Sequence, residues 1–187
     1  MDWYGKLIDY FPQKEMKSKE HFELLFSEKR GTYKKEEGTD YVLIYLEKTE
    51  FIFIDYILVS GSSRGKGTGS KLLDRMKRKR KAIILEVDPI TEADPDSSKR
   101  VAFYNKNGLH KVDSITYERI HAITKELIRM DIFCWSPSPK SDFWVFERMK
   151  TAYKEAHSYK AAEIYNTSIQ AADEVLTFNG RKLSKAE

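Results

Sequence analysis

The 187 residues are 33% charged and 41% hydrophobic with a formal net charge of +4, which describes one soluble globular domain, long enough for a substantial core. The modest positive charge fits anionic ligands without demanding nucleic acid. A single cysteine, Cys134, excludes an internal disulfide framework and a cysteine-based metal cluster. No stretch reaches membrane-span length, and the first residues lack a signal peptide's basic start and apolar core, so a reducing cytoplasm is the expected location, with no membrane partner.

Trp3, Leu7, Ile8 and Phe11 among charges predict a short amphipathic helix that Pro12 ends. His21, Phe22, Leu24, Leu25 and Phe26 predict a second helix over about 15–29. The polar run from Lys34 to Asp40 reads as loop, with room for a short strand around Tyr33. Tyr41–Leu46 and Phe51–Val59 are rich in β-branched and aromatic residues, and the four residues between them predict a hairpin. The near-continuous apolar segment Ala82–Val87 reads as a strand buried on both faces. Asp88–Asp96, with two prolines, is a loop, and Ser97–Lys106 is a helix with Ser97 as its cap and Gly108 as its stop. Leu109–Tyr117 and Ile128–Trp135 are strand candidates; Glu118–Leu127 has no legible state. Beyond the break at Ser136–Pro139, Phe143–Asn179 reads as one interrupted helix or two. The domain expectation is therefore residues 1–137 as the main unit and 138–187 as a helical extension on or beside it.

Between the second apolar strand and the next helix lie three glycines at alternate positions, Gly65, Gly67 and Gly69. Strand, glycine turn and helix together present free backbone N–H groups and a positive dipole end to an anion. Two familiar phosphate motifs fail on the letters. A P-loop needs four residues before Gly-Lys-Ser/Thr, whereas Gly61 precedes Gly65-Lys66 by three and Gly67 stands at the hydroxyl position, so the magnesium ligand is missing. The dinucleotide fingerprint fails because Ser70 occupies its third glycine.

Arg64-Gly65-Lys66-Gly67-Thr68-Gly69 instead resembles the Arg/Gln-x-x-Gly-x-Gly/Ala signature of the GNAT superfamily of acetyl-CoA-dependent N-acyltransferases. Val59 stands five residues before the signature arginine, and Ser97-x-x-Arg100-x-x-Phe103-Tyr104-x-Lys106-x-Gly108-Leu109 resembles the family's second motif, with Ser97 and Arg100 in place of the usual Asn and Ala. The resemblance covers about residues 1–135. It implies an α/β (α+β) fold, a mixed twisted sheet flanked by helices, with the strands ending at Val59 and Val87 splayed apart. It implies acetyl-CoA as cosubstrate and no metal. Pantetheine would lie in the splay against Ile57, Leu58 and Val59, and the pyrophosphate would take amides from Gly65, Lys66, Gly67, Thr68, Gly69 and Ser70, beside the signature Arg64. Ser97 and Lys106 complete the expected cofactor set.

Acyl transfer to an amine needs a neutral amine, a polarised thioester carbonyl and a proton for the leaving thiolate. Tyr104 falls at the family's general-acid tyrosine. For the base, Asp55 interrupts an apolar strand, on the face that period two assigns to Phe53 and Ile57, and a carboxylate there is costly unless paired, solvated or functional. Glu86 and Asp88 share one face near the end of the next strand and compete for the role; each of the three is equally well read as a structural acceptor. Together they suggest an acidic cleft for a cationic primary amine, on a small molecule or a peptide. The alternative is a non-catalytic acyl-CoA-binding module on the same scaffold. The run Lys77–Lys81 fits a helix C-terminus better than a nucleic-acid site. His21, His110, His121 and His157 lack metal-ligand spacing and read as surface or core residues. The tail's aromatics fit core, a cap on the acceptor cleft or a homodimer interface.

Overall fold

The computed structural model describes residues 2–180; the end of the expected extension, 181–187, lies outside the described residues. Two short elements open the chain: α1 (Trp3–Ile8) and a 3₁₀ turn, Gln13–Glu15. α2 (Lys19–Glu28) starts where the Ser18 side chain accepts a hydrogen bond from the His21 amide at 3.2 Å, later than the hydrophobic spacing alone suggests. Three antiparallel strands follow, β1 (Tyr33–Gly38), β2 (Tyr41–Glu47) and β3 (Phe51–Val59). β1 replaces most of the expected loop. Its charged residues suit the edge of a sheet, where they blunt unwanted strand pairing.

α3 (Thr68–Lys77) leads into β4 (Ala82–Val87), and α4 (Ser97–Lys106) into β5 (His110–Lys111), β6 (Ile115–Ile120) and β7 (Leu127–Trp135). The segment 118–127 thus resolves into the end of β6, a turn and the start of β7. The sheet runs β1-β2-β3-β4-β7-β6-β8, with β5 also on β7. Among the described residues only β3 and β4 pair in parallel, from Phe51 opposite Ala82 to Ile54 opposite Leu85. Beyond that register β3 keeps its bonds to β2, and β4 keeps its bonds to β7. The two strands part there as a fork.

A β-bulge sits at the root of the fork. Ile44 is paired with Tyr56 and Tyr45 with Ile54, so Asp55 has no residue opposite it. The extra residue inverts the phase of β3. Phe51 and Phe53 pack in one core with Tyr56 and Leu58, whereas Ile52 and Ile54 pack in the other, joined by Ile57. The strict alternation that groups Asp55 with Phe53 and Ile57 is therefore incorrect: Phe53 and Ile57 enter different cores.

The first core lies under α1, α2 and α5 (Asp142–Ala152), with Leu7, Phe22, Leu25, Val145 and Met149 against the sheet. The second lies under α3 and α4, with Leu73, Met76 and Tyr104. After α5 the chain makes a π-helical turn (Tyr153–His157), α6 (Ala161–Tyr165), α7 (Ala172–Val175) and β8 (Leu176–Phe178). β8 is a strand where helix is expected. It pairs antiparallel with β6, and Phe178 packs on Phe143 and Phe146 at 5.3 and 5.5 Å between ring centres. An open sheet edge outweighs the local helix preference of so short a segment.

Candidate active site

The glycine turn forms as its letters require. Gly65 and Gly67 have φ of +77° and +80°, a region side chains rarely enter, and the space where a Cβ would stand on either is empty. Gly67 is the residue before α3 and offers no side-chain cap, and the first backbone bond back into the helix is Lys71 N–H to the Gly67 carbonyl at 3.0 Å. The amides of Thr68, Gly69 and Ser70 therefore face outward from a ten-residue helix, at its positive end. Gly69 has a different reason: a Cβ there would come within 2.9 Å of the Phe103 ring on α4. Arg64 and Lys66 are exposed; the Arg64 guanidinium lies 4.6 Å from the centre of the Tyr10 ring, and its Nε donates to the Val59 carbonyl. An open hollow of about 220 Å³ beside the turn is lined by Tyr10, Tyr41, Leu58, Val59, Ser60 and Arg64.

Ile57, Leu58 and Val59 form the β3 arm of the fork, above the bulge. On the β4 side, Tyr104 is 9% exposed, with its ring against Phe103 and Phe133. No described residue hydrogen-bonds its hydroxyl, and burial keeps that group protonated far above neutral pH. Asp88, just past β4, is bridged by Arg100 at 3.0 Å, and the same guanidinium holds Asp94 at 2.5 Å. Burial raises the Asp88 carboxyl despite that partner. Lys106 is exposed in the last turn of α4.

Ser97 departs from expectation. The capping position belongs to Asp96, and Ser97 is the first helical residue, buried. Its hydroxyl donates to the Asp94 carbonyl at 2.6 Å and accepts from the Thr91 amide at 3.1 Å, so it ties the β4–α4 loop together.

The two strand carboxylates are both occupied. Asp55, 2% exposed, receives Lys17 Nζ at 2.8 and 2.7 Å on its two oxygens, and the Tyr33 hydroxyl at 2.5 Å. Burial works to raise its pKa, but the Lys17 charge and these bonds hold it below the usual carboxylate range. Glu86 accepts Nε2–H of His157 at 2.8 Å. Burial pushes the imidazole down, so the pair is a carboxylate held by a neutral ring. Each carboxylate of the acidic cleft expected from Asp55, Glu86 and Asp88 thus already has a partner: a cation for Asp55 and Asp88, and for Glu86 a neutral ring that leaves its charge in place.

A second cavity, about 40 Å³, opens over the root of the fork, and its walls come from three distant parts of the chain: Glu15, Lys17 and His21; Arg119 and His121; and Tyr153, His157 and Tyr165. His21 is fixed through both ring nitrogens, to the Tyr165 hydroxyl at 3.0 Å and the Tyr159 carbonyl at 2.9 Å, and burial drives it to about 4. Glu15 makes no side-chain hydrogen bond among the described residues; burial, and the charge of Asp88, raise it to about 7. Sequence reasoning missed Glu15, Lys17, Arg119 and His157, and nothing local marks them: they converge only through the fold.

The basic run is structural where its partners can be seen. Lys79 and Lys81 turn onto Glu47 at 2.8 and 2.9 Å, where Lys34 joins them, and Lys77 donates to the Asn107 carbonyl. Cys134 is half-buried, and burial raises its thiol to about 12, which keeps it protonated at neutral pH. Among the described residues no group of three His, Cys, Asp or Glu is placed to hold a metal ion, and no helix is long and apolar enough to cross a membrane.

No family profile matches the chain. It is 43% identical over 176 residues to a curated Bacillus subtilis (strain 168) protein named "Putative acetyltransferase YjbC", covering 94% of this chain and 92% of that one. Among solved structures it superposes on a "Putative acetyltransferase from GNAT family" of Bacteroides thetaiotaomicron with a TM-score of 0.65, 15% identity, and coverage of 88% of this chain and 90% of that one. A Bacillus subtilis acetyltransferase solved in complex with CoA superposes more loosely, at a TM-score of 0.41 and 16% identity over 66% of this chain and 95% of that one, and carries no weight here.

Proposed function

The chain belongs to the GNAT family of acetyltransferases, and from that premise we propose that it transfers an acetyl group from acetyl-CoA to a primary amine by direct attack on the thioester. The observation that carries this reading is the juxtaposition of a forked β3–β4 pair, an outward-facing glycine turn at the end of one arm and an unbonded tyrosine on the helix beside the other.

Acetyl-CoA is the substrate that this shape fits. A Cβ on Gly65 or Gly67 would stand in the space a phosphate uses, and Arg64 to Ser70 would hold the pyrophosphate through amides and charge. Ile57 to Val59 would meet the pantetheine arm as a strand edge. Ser97 acts one step back, by holding the loop after β4, and Lys106 would act by charge at the rim.

The amine nitrogen attacks the carbonyl carbon, the C–S bond breaks, and the thiolate sulfur takes the Tyr104 proton. A phenol that stays protonated until a strong base forms beside it suits that step. The amine must first lose a proton. Of the carboxylates, Asp55 is committed to Lys17 and Tyr33, and Glu86 to His157. They would frame the reaction centre, with Glu86 open to relay a proton through His157. Glu15, unbonded and titrating near neutrality, is the group we assign to take the amine's proton.

An amine panel with thiol detection tests the reading. CoA raises the melting temperature whether the protein is an enzyme or an acyl-CoA-binding module, but only an enzyme releases free thiol when amines are added. Tyr104→Phe should bind CoA as before and lose about 100-fold in kcat; full turnover in that variant would remove Tyr104 from the mechanism.

A further inference from the structure

The cavity over the root of the fork has an unequal distribution of charge. Lys17 is neutralised by Asp55, His157 is bonded to Glu86, His21 is bonded through both nitrogens, and His121 is held by the Met16 carbonyl and Thr124 at 3.1 Å each. Arg119 is different. Its Nε is buried without a hydrogen-bond partner, and among the described residues no carboxylate comes within ion-pair range of its guanidinium. Two positions along β6, on the same face by strand alternation, the Tyr117 hydroxyl is also buried without a partner. Of the two, Arg119 lines the cavity, and a buried donor without a partner is costly in a folded protein unless something else completes it.

The opposite character lies at Glu15, the one carboxylate in the cavity wall, which makes no bond to Arg119 or to any other described side chain. An unpaired cation and an unpaired carboxylate share one small space without touching. Resting on the acetyltransferase reading, we propose that the acceptor is a small amino acid, bound as its zwitterion, with its carboxylate on Arg119 and its amino group toward Glu15. Glu15 would thereby hold the nitrogen that it later deprotonates. A planar guanidinium matches a carboxylate through paired N–H donors.

Size and charge narrow the class. About 40 Å³ is the space of roughly three water molecules: it seats a carboxylate, with the rest of a small amino acid in the cavity's open mouth, and has no room for a sugar ring. A dianion such as a phosphate would meet one free cation with a carboxylate in the same cavity, an unfavourable balance. The cationic amine suggested by Asp55, Glu86 and Asp88 alone is replaced by a zwitterion, because those three carboxylates already have partners.

The test uses the full chain with the twenty L-amino acids, each beside its carboxamide and its decarboxylated amine. Thiol release from acetyl-CoA and the shift in melting temperature with CoA present are both read. At least one amino acid should be turned over with kcat/KM about 100-fold above its carboxamide, as expected when a partly buried guanidinium loses its anion. Arg119→Gln should bring that amino acid down to the carboxamide's rate, largely through KM, while the unliganded melting temperature stays or rises, because an unpaired cation has been removed. Equal turnover of acids, amides and simple amines would overturn the proposal and leave the acetyltransferase reading standing. Stabilisation by an amino acid but not by its amide, lost in Arg119→Gln, with no thiol released, would sustain the site and overturn the catalytic reading. If no amino acid binds or reacts, the proposal is wrong.

Discussion

Removal of Asp55 should destabilise the fold through Lys17 more than through any contact of its own. Lys17 is 7% exposed in its side chain, and its ammonium has Asp55 as its sole ion-pair partner among the described residues. In Asp55→Ala the charge stays buried without a counter-ion, a change that costs about 3–5 kcal/mol. The Tyr33 hydroxyl loses its acceptor as well, for about 1 kcal/mol more. For a chain of this size each kcal/mol moves the midpoint by about 2–4 °C, so the variant should melt about 8–24 °C lower. Urea unfolding at pH 7 supplies the free energy directly. The double variant Lys17→Met/Asp55→Leu removes both charges, and should recover most of the loss. The pH dependence gives an independent sign. Asp55 has a folded value below its ordinary 3.8, so the unfolded chain takes up the proton first as pH falls. The pair's stabilisation is complete above 3.8 and lost on descent through the lower folded value. The gap between wild type and Asp55→Ala should therefore be constant from pH 8 to 5 and close only below 3.8. A single variant within about 1 kcal/mol of wild type, or a double variant no better than the single, would refute the view that this pair is a framework element.

Glu15 gives the opposite linkage. Its folded value of about 7 lies above the ordinary 4.5, so the folded state holds the proton more tightly and stability falls as pH rises from 4.5 to 7. Glu15→Gln should abolish that slope in pH-dependent denaturation, and should remove the rise in kcat/KM centred near pH 7. Gly67→Ala forces a Cβ into a turn at φ +80°, for a loss of about 1–2 kcal/mol. The same methyl should weaken CoA by at least about tenfold where close backbone approach is needed, measured as a reduced CoA-induced shift in melting temperature.

The glycine turn, the β2–β3 hairpin and the buried Tyr104 are legible in the letters because each depends on near neighbours: φ > 0 at Gly67, alternating branched residues, a motif within ten positions. The bulge is not, since Asp55 breaks an alternation that every other residue of FIFIDYILV obeys on one side or the other of it. β1 is hidden by its charges, which mark an edge strand as easily as a loop. The cavity at the root of the fork is the least legible part. Lys17 meets Asp55 across 38 positions and Glu86 meets His157 across 71, and no local pattern encodes such meetings. Ser97 reads as a cap in the letters and is not one for the same reason: the loop before it, folded back through Thr91 and Asp94, claims its hydroxyl.

The unpaired position at Asp55 has a consequence for how the strand beside the fork could change. The pairs on either side of it already agree in side: Ile54 and Tyr45 enter one core, Tyr56 and Ile44 the other. Deleting Asp55 would therefore turn no side chain around; Tyr56 would follow Ile54 in an unbroken alternation and keep Ile44 as its partner. What would go is the buried acid that Lys17 and Tyr33 share, at the point where β3 leaves its parallel partner. A single lost codon would remove that acid and leave the pairing on both sides of it, and every glycine of the turn, in place.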